Sequence, residues 1–254
     1  MIRIGKRKIS ETFKQIFSLD ILTTVFRFFI IHEKPFNAIF NEFFSMGRYP
    51  VLIRIKKKLE IKLYSFSDFS TFNLIFCRQD YFKPKNIELV IDIGSNIGIS
   101  CLYWLVDNPN CIVHSYEPSS KNYKRLFLNT KKYNKNIKNN KLGVSSKNEN
   151  LRLYLSKSGV NDSVLKIPGA KYEKIKLIDI NKILKKAFLI RNKIDVLKID
   201  VEGKEREILK SINKKYFNKI RVINIEGNNF VNIIPSYFAH SFKGSASRFI
   251  NMKV

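Results

Sequence analysis

From Leu89 to Glu226, stretches with strand character and stretches with helix character take turns, and few folds tolerate that order. Strands are expected at 89–94, 111–117, 140–145, 194–200 and 220–226, and helices at about 97–107, 119–131, 178–187 and 203–212. Such alternation predicts a parallel sheet covered by helices on both faces. Two departures stand out. "NENLRLYLS" and "EKIKLID" read as extra short strands between the third and fourth core strands. After Glu226, "SYFAHSF" and "SRFINMK" flank "KGSA", which predicts a terminal antiparallel hairpin. The run "KKYNKNIKNN", 131–140, reads as a polar, exposed connection.

Upstream, the period changes. From Ser10 to Met46 apolar residues recur at helical spacing (Phe13, Ile16, Phe17, Ile21, Phe26, Phe29, Ile30), with Ser10 at the start and Pro35 breaking the run into two helices. "VLIRIK" and "EIKLYS" read as two strands around a lysine-rich turn. Residues 68–82 return to helical spacing, capped by Asp68 or Ser70 and ended by Pro84. The expected organisation is a helical segment over 1–50, a strand and helix lead-in over 51–88, and a core over 89–254.

The chain carries 47 lysines and arginines against 21 acids, a net charge of +26. That excess suits an anionic partner, either a membrane surface or nucleic acid. The basic residues are scattered rather than interleaved with aromatics, so no nucleic-acid groove can be read from them. The first residues are charged where a secretory signal would be apolar. The run Ile21 to Ile31 has 11 residues and contains Arg27, whereas spanning a bilayer takes about 20. A helix there would dock on the core, on a second subunit or in a membrane interface. Cys77, Cys101 and Cys111 show no metal spacing and sit in apolar runs; His32, His114 and His240 form no cluster. A reducing, cytoplasmic setting, with peripheral membrane contact, is the simplest expectation.

The first expected strand runs into "LVIDIGSNIGIS". A dinucleotide turn needs G-x-G-x-x-G, but here only Gly94 and Gly98 are present, and no Gly-Lys-Ser/Thr follows for a P-loop. A ligand offering a carboxylate and a cation suits the turn better, with the helix-opening amides facing the carboxylate. Asp92 can order the turn or meet the cation through water. Glu117, at the end of the second strand, can accept the hydroxyls of a ribose. Amino acid, sulfonium and ribose together describe S-adenosylmethionine.

"VIDIGSNIGIS", "SYEPSSKN" and "IDVLKIDVEGKEREIL", in this order and spacing, resemble the FkbM family of S-adenosylmethionine-dependent methyltransferases over about Val51 to Glu226. The resemblance implies the class I methyltransferase fold, a Rossmann-like, mostly parallel seven-stranded sheet with a terminal antiparallel strand. It maps cofactor contacts onto Asp92, Gly94, Ser95, Asn96, Gly98 and Glu117, and puts the adenine near Gly143 to Ser145. It also implies O-methylation of a hydroxyl on a sugar, glycan or related metabolite.

Methyl transfer from a sulfonium is an in-line displacement, so alignment matters most and an alcohol acceptor also profits from a base. Asp200 is the first candidate for base or orienting group, and Glu226 the second. Lys198, on the same strand face as Asp200, needs an acid to tolerate burial. Glu202 reads as an acid in a helix's first turn. These carboxylates could also hold Mg²⁺, though no metal site is assigned. Nucleic acid is the weaker acceptor: "IDVEGK" has no proline for an Asp/Asn-Pro-Pro-aromatic loop, and no cysteine follows either late strand. A ribose 2′-O-methyltransferase and a catalytically silent binding protein remain as alternatives.

Overall fold

The structure, a computed structural model, describes residues 3–4, 7–8, 19–36, 49–55, 59–155, 169 and 171–254. It divides into two compact units, Met1–Gln79 and Asp80–Val254, the division falling inside the expected lead-in.

In the first unit, β1 (Arg3–Ile4) pairs antiparallel with β2 (Arg7–Lys8), and helix α1 covers Leu19–Ile31. Residues 10–18 and 37–46 of the expected pair of helices lie outside the described residues. β3 (Val51–Ile55) and β4 (Leu59–Leu63) form the expected hairpin, Val51 opposite Leu63. Alternation puts Ile53, Ile55, Leu59, Ile61 and Leu63 on one buried face. Helix α2 (Phe66–Phe72) starts earlier than the sequence suggested. Its cap is Ser65, whose hydroxyl accepts from the Asp68 amide at 3.2 Å, while the Asp68 carboxylate accepts from the Tyr64 amide at 2.8 Å. Ser65 is therefore the cap, Asp68 lies in the first turn and fixes the residue before the cap, and Ser70 is interior. A π turn, Asn73–Cys77, continues the helix. His32 sits 4.1 Å from the Phe28 ring and 5.3 Å from Phe72, and this burial pushes its pKa down to about 4.

The second unit is built on seven strands: β5 (Leu89–Ile93), β6 (Ile112–Tyr116), β7 (Ile137–Asn140), β11 (Ile194–Ile199), β12 (Ile220–Glu226), β13 (Phe238–Lys243) and β14 (Ala246–Asn251). Their order is β13-β14-β12-β11-β5-β6-β7. All neighbours are parallel except β14, which runs against both β12 and β13. Every residue of β5 and β11 is buried, as a doubly covered parallel sheet requires. Helices α3 (Ile99–Asp107), α4 (Ser120–Thr130), α5 (Ile180–Ile190), α6 (Glu205–Ser211) and α7 (Lys214–Phe217) complete the unit. The chain leaves the sheet centre at β5, travels outward through β6 and β7, and returns to β11 on the other side of β5. Ligand crevices form at such a reversal, at the carboxyl ends of the strands.

The third core strand differs from the sequence reading. The expected strand at 140–145 is split: Ile137–Asn140 joins the main sheet, and β8 (Gly143–Ser145) leaves it. β8 pairs with β10 (Tyr172–Asp179), which also pairs with β9 (Glu149–Tyr154), so the extra strands make a separate three-stranded sheet. The end of the "polar connection" is therefore an edge strand. Its asparagines conceal it because their polar groups are paired: Ser115 Oγ donates to Asn139 Oδ1 at 2.6 Å, and Asn139 Nδ2 donates to Thr130 Oγ1 at 2.8 Å.

Candidate active site

Gly94 follows β5 at φ +75°, and a Cβ there would lie 1.6 Å from the Asp200 carbonyl oxygen. Only glycine lets the turn approach the end of β11 this closely. The turn is tied to β6, because the Gly94 and Ser95 amides both donate to the Tyr116 carbonyl, at 3.0 and 3.1 Å. Asn96 sits at φ +48°, and its amide donates to Glu117 Oε2 at 2.8 Å. Glu117 Oε1 accepts from the Ser119 amide at 2.9 Å. Gly98, at φ +93°, then opens α3 with no side-chain cap. A Cβ on Gly98 would lie 2.9 Å from Leu126, so this glycine serves the packing of α4 against the turn.

Asp92 is fully buried below the turn, its oxygens taken by the protein itself. Oδ1 accepts from Ser95 Oγ at 3.1 Å, and Oδ2 accepts from Trp104 Nε1 at 2.9 Å. Of the two roles open to it in the sequence, this geometry belongs to ordering the turn. Gly143, where adenine was expected, lies beside Pro118: a Cβ on it would meet Pro118 Cβ at 3.4 Å. The segment after β7 thus returns next to Glu117.

Across the reversal, Lys198 is 2% exposed. Its ammonium donates to the Gly94 carbonyl and lies 3.1 Å from Asp200 Oδ2 and 3.6 Å from Asp92 Oδ1. Burial opposes the charge, but Asp200 and Asp92 outweigh it and raise the lysine's pKa above its usual value. A permanently charged lysine cannot act as a base. It locks the turn, β5 and β11 together.

Asp200 also accepts from the Tyr81 hydroxyl at 3.0 Å. Burial of Asp200 opposes its charge, yet Lys198 and hydrogen bonds from Glu226, Lys198 and Tyr81 hold its pKa below the ordinary carboxylate value. Glu226 takes the other role. Its hydrogen bond to Asp200, its burial and the negative charges of Asp200 and Glu202 push its pKa up to about 9. At neutral pH the couple is a carboxylate on Asp200 and a carboxylic acid on Glu226. Glu202 is not in a first helical turn, as the sequence suggested. It stands in the loop before α6 at φ +56°, and its carboxylate lies within 4.8 Å of those of Asp200 and Glu226. Glu205 shapes that loop by accepting from the Val201 amide at 2.9 Å and the Gly203 amide at 3.0 Å.

The couple carries a pH signature. Unfolded, Glu226 loses its proton near 4.5, but folded it keeps it to about 9. The folded state thus binds more protons between these values, so this group's stabilisation is complete below about 4.5 and is lost as pH rises through about 9. Asp200 acts in the opposite sense, its contribution being lost only as pH falls below the ordinary 3.8. In Glu226→Gln the alkaline loss is expected to flatten. Melting temperatures recorded from pH 6 to 10 should fall less steeply than in the unaltered protein, and parallel curves would refute the shared proton.

Sequence reasoning missed Tyr81, Trp104 and Glu205. Tyr81 could not be found locally, since its partner is 119 positions away. It is set in place by its neighbours: the Phe82 amide donates to Asn224 Oδ1 at 2.9 Å, and the Asp80 carboxylate accepts from the Ser245 amide at 3.2 Å.

Residues 92–250 match the family model described as the methyltransferase FkbM domain. The chain belongs to the FkbM methyltransferase family. The match spans the glycine turn, Glu117, Lys198, Asp200 and Glu226, and the mostly parallel seven-stranded sheet with an antiparallel terminal strand is the one that the family resemblance implied. A search of curated proteins returned no match. Solved structures similar to this FkbM chain include a methyltransferase FkbM from Methylobacillus flagellatus, 17% identical with a TM-score of 0.49, covering 70% of this chain and 47% of that one. This chain therefore spans about half the length of that relative. Another is a putative rRNA methylase from Clostridium thermocellum, 9% identical with a TM-score of 0.41, covering 75% of this chain and 98% of the other.

Proposed function

We propose that this FkbM protein is an S-adenosylmethionine-dependent O-methyltransferase acting on a hydroxyl of a sugar, glycan or related metabolite. The observation that carries the reading is the Asp200–Glu226 couple, held by Lys198 and Tyr81 at the point where the strand order reverses and beside the glycine turn. The residues around that turn fit the cofactor. Glu117 is an acid at a strand end, its carboxylate oriented by the Asn96 and Ser119 amides, and an acid so placed can accept ribose hydroxyls. Among the described residues, Asn96 Oδ1 and Ser119 Oγ on either side of it are buried without hydrogen-bond partners, as a ligand bearing hydroxyl and ammonium groups would require. The uncapped start of α3 can receive a carboxylate. When bound, S-adenosylmethionine supplies an electrophilic methyl group on a positively charged sulfur.

In this mechanism Glu117 and the turn set the register of the cleft, and Asp200 does the chemistry. Its carboxylate accepts the hydrogen bond of the incoming hydroxyl and takes the proton as the oxygen becomes a nucleophile. Glu226, holding its own proton, donates to Asp200 and aims that carboxylate. Lys198 and Tyr81 keep it ionised and fixed in rotamer. Buried free thiols at Cys77, Cys101 and Cys111 support a reducing, cytoplasmic setting.

Labelled S-adenosylmethionine incubated with the protein and host extract tests the acceptor class. Label should enter the saccharide and glycolipid fractions. Label in RNA, with binding that weakens steeply with salt, would move the acceptor to a ribose.

A further inference from the structure

Helix α1 is apolar on two sides. Inward, the Phe28 ring lies 6.5 Å from that of Phe69, and Arg27 Nη1 donates to the Cys77 carbonyl at 3.4 Å. Outward, Leu22, Val25, Phe26, Phe29 and Ile30 recur at i, i+3, i+4, i+7 and i+8, between 36% and 66% exposed. Phe36, edge-on to Phe29 at 5.5 Å and 73% exposed, extends the patch. Across Leu19–Ile31 the charged residues are Asp20 and Arg27, and Arg27 is spent on Cys77. Helices apolar all round are normally covered.

We propose that this face lies in the surface of a bilayer that carries anionic lipid. Thirteen residues make a helix about 20 Å long, too short to cross the hydrocarbon, so it would lie in the plane. No helix among the described residues is long and apolar enough to span. Charge selects the lipid. Residues 1–79 hold 14 lysines and arginines against 6 acids, within a chain of net charge +26. A second copy on the same face would bring two strongly positive bodies together, whereas anionic headgroups neutralise them.

Flotation of the full chain with phosphatidylglycerol/phosphatidylcholine vesicles and with phosphatidylcholine alone tests this. The unaltered protein should prefer the anionic vesicles, and the double variant Phe26→Ser, Phe29→Ser should bind them at least about tenfold more weakly. A second variant, Phe26→Trp, keeps the face apolar and should show a blue shift of its added fluorescence on anionic vesicles. Equal binding by the double variant, or no shift in the tryptophan variant, would overturn the proposal. So would a dimer in free solution that the serine substitutions dissolve without affecting vesicle binding.

Discussion

Replacing Asp200 by asparagine is expected to lower methyl transfer by about 10²- to 10⁴-fold, the range typical for loss of a positioned base. The substitution keeps the shape that Tyr81 and Lys198 grip, at 3.0 and 3.1 Å, but removes the negative charge that takes the hydroxyl proton. Cofactor affinity should change little, because Asp200 meets the turn through its main chain while Glu117 lies on the far side of it. Loss of the Asp200 charge also frees Glu226 to titrate nearer an ordinary carboxylate, so the alkaline fall in stability should shrink as it does in Glu226→Gln. Steady-state transfer assays with a titration of S-adenosylmethionine separate the two effects. A variant with unchanged turnover would remove Asp200 from the chemistry.

The largest effect on stability is expected at Lys198. Lys198→Met preserves volume but leaves Asp92, which is fully buried, and Asp200 without their shared cation. Breaking a buried charge set by removing one partner costs about 3–5 kcal/mol. For a chain of this size that corresponds to a melting temperature lower by about 10 °C. Calorimetric scans at neutral pH check it. The sign distinguishes a structural clamp from a dispensable ion pair: a variant as stable as the parent would mean that the acids are protonated or solvated instead.

Much of this was legible in the sequence because it is local. The run Leu89–Ile93 is apolar but for Asp92, Gly94 and Gly98 mark a turn, and the acids at 92, 117, 200 and 226 fall at strand ends. What was hidden depended on partners distant in sequence. Ile137–Asn140 reads as a polar loop until its asparagines meet Ser115 and Thr130. Glu202 reads as a first-turn residue because nothing nearby reveals that Glu205 will hold the preceding loop open. Tyr81 carries no pattern at all; its place follows from Asn224 and Ser245, both more than 140 residues later.

The cleft between β5, β6 and β11 is expected to hold S-adenosylmethionine. Titration calorimetry of the purified protein with that compound, beside Glu117→Ala, tests it most directly. One equivalent should bind the unaltered protein. The variant should bind about 10- to 100-fold more weakly, as expected when charge-assisted hydrogen bonds are lost. No binding by the parent protein, or equal binding by the variant, would contradict it.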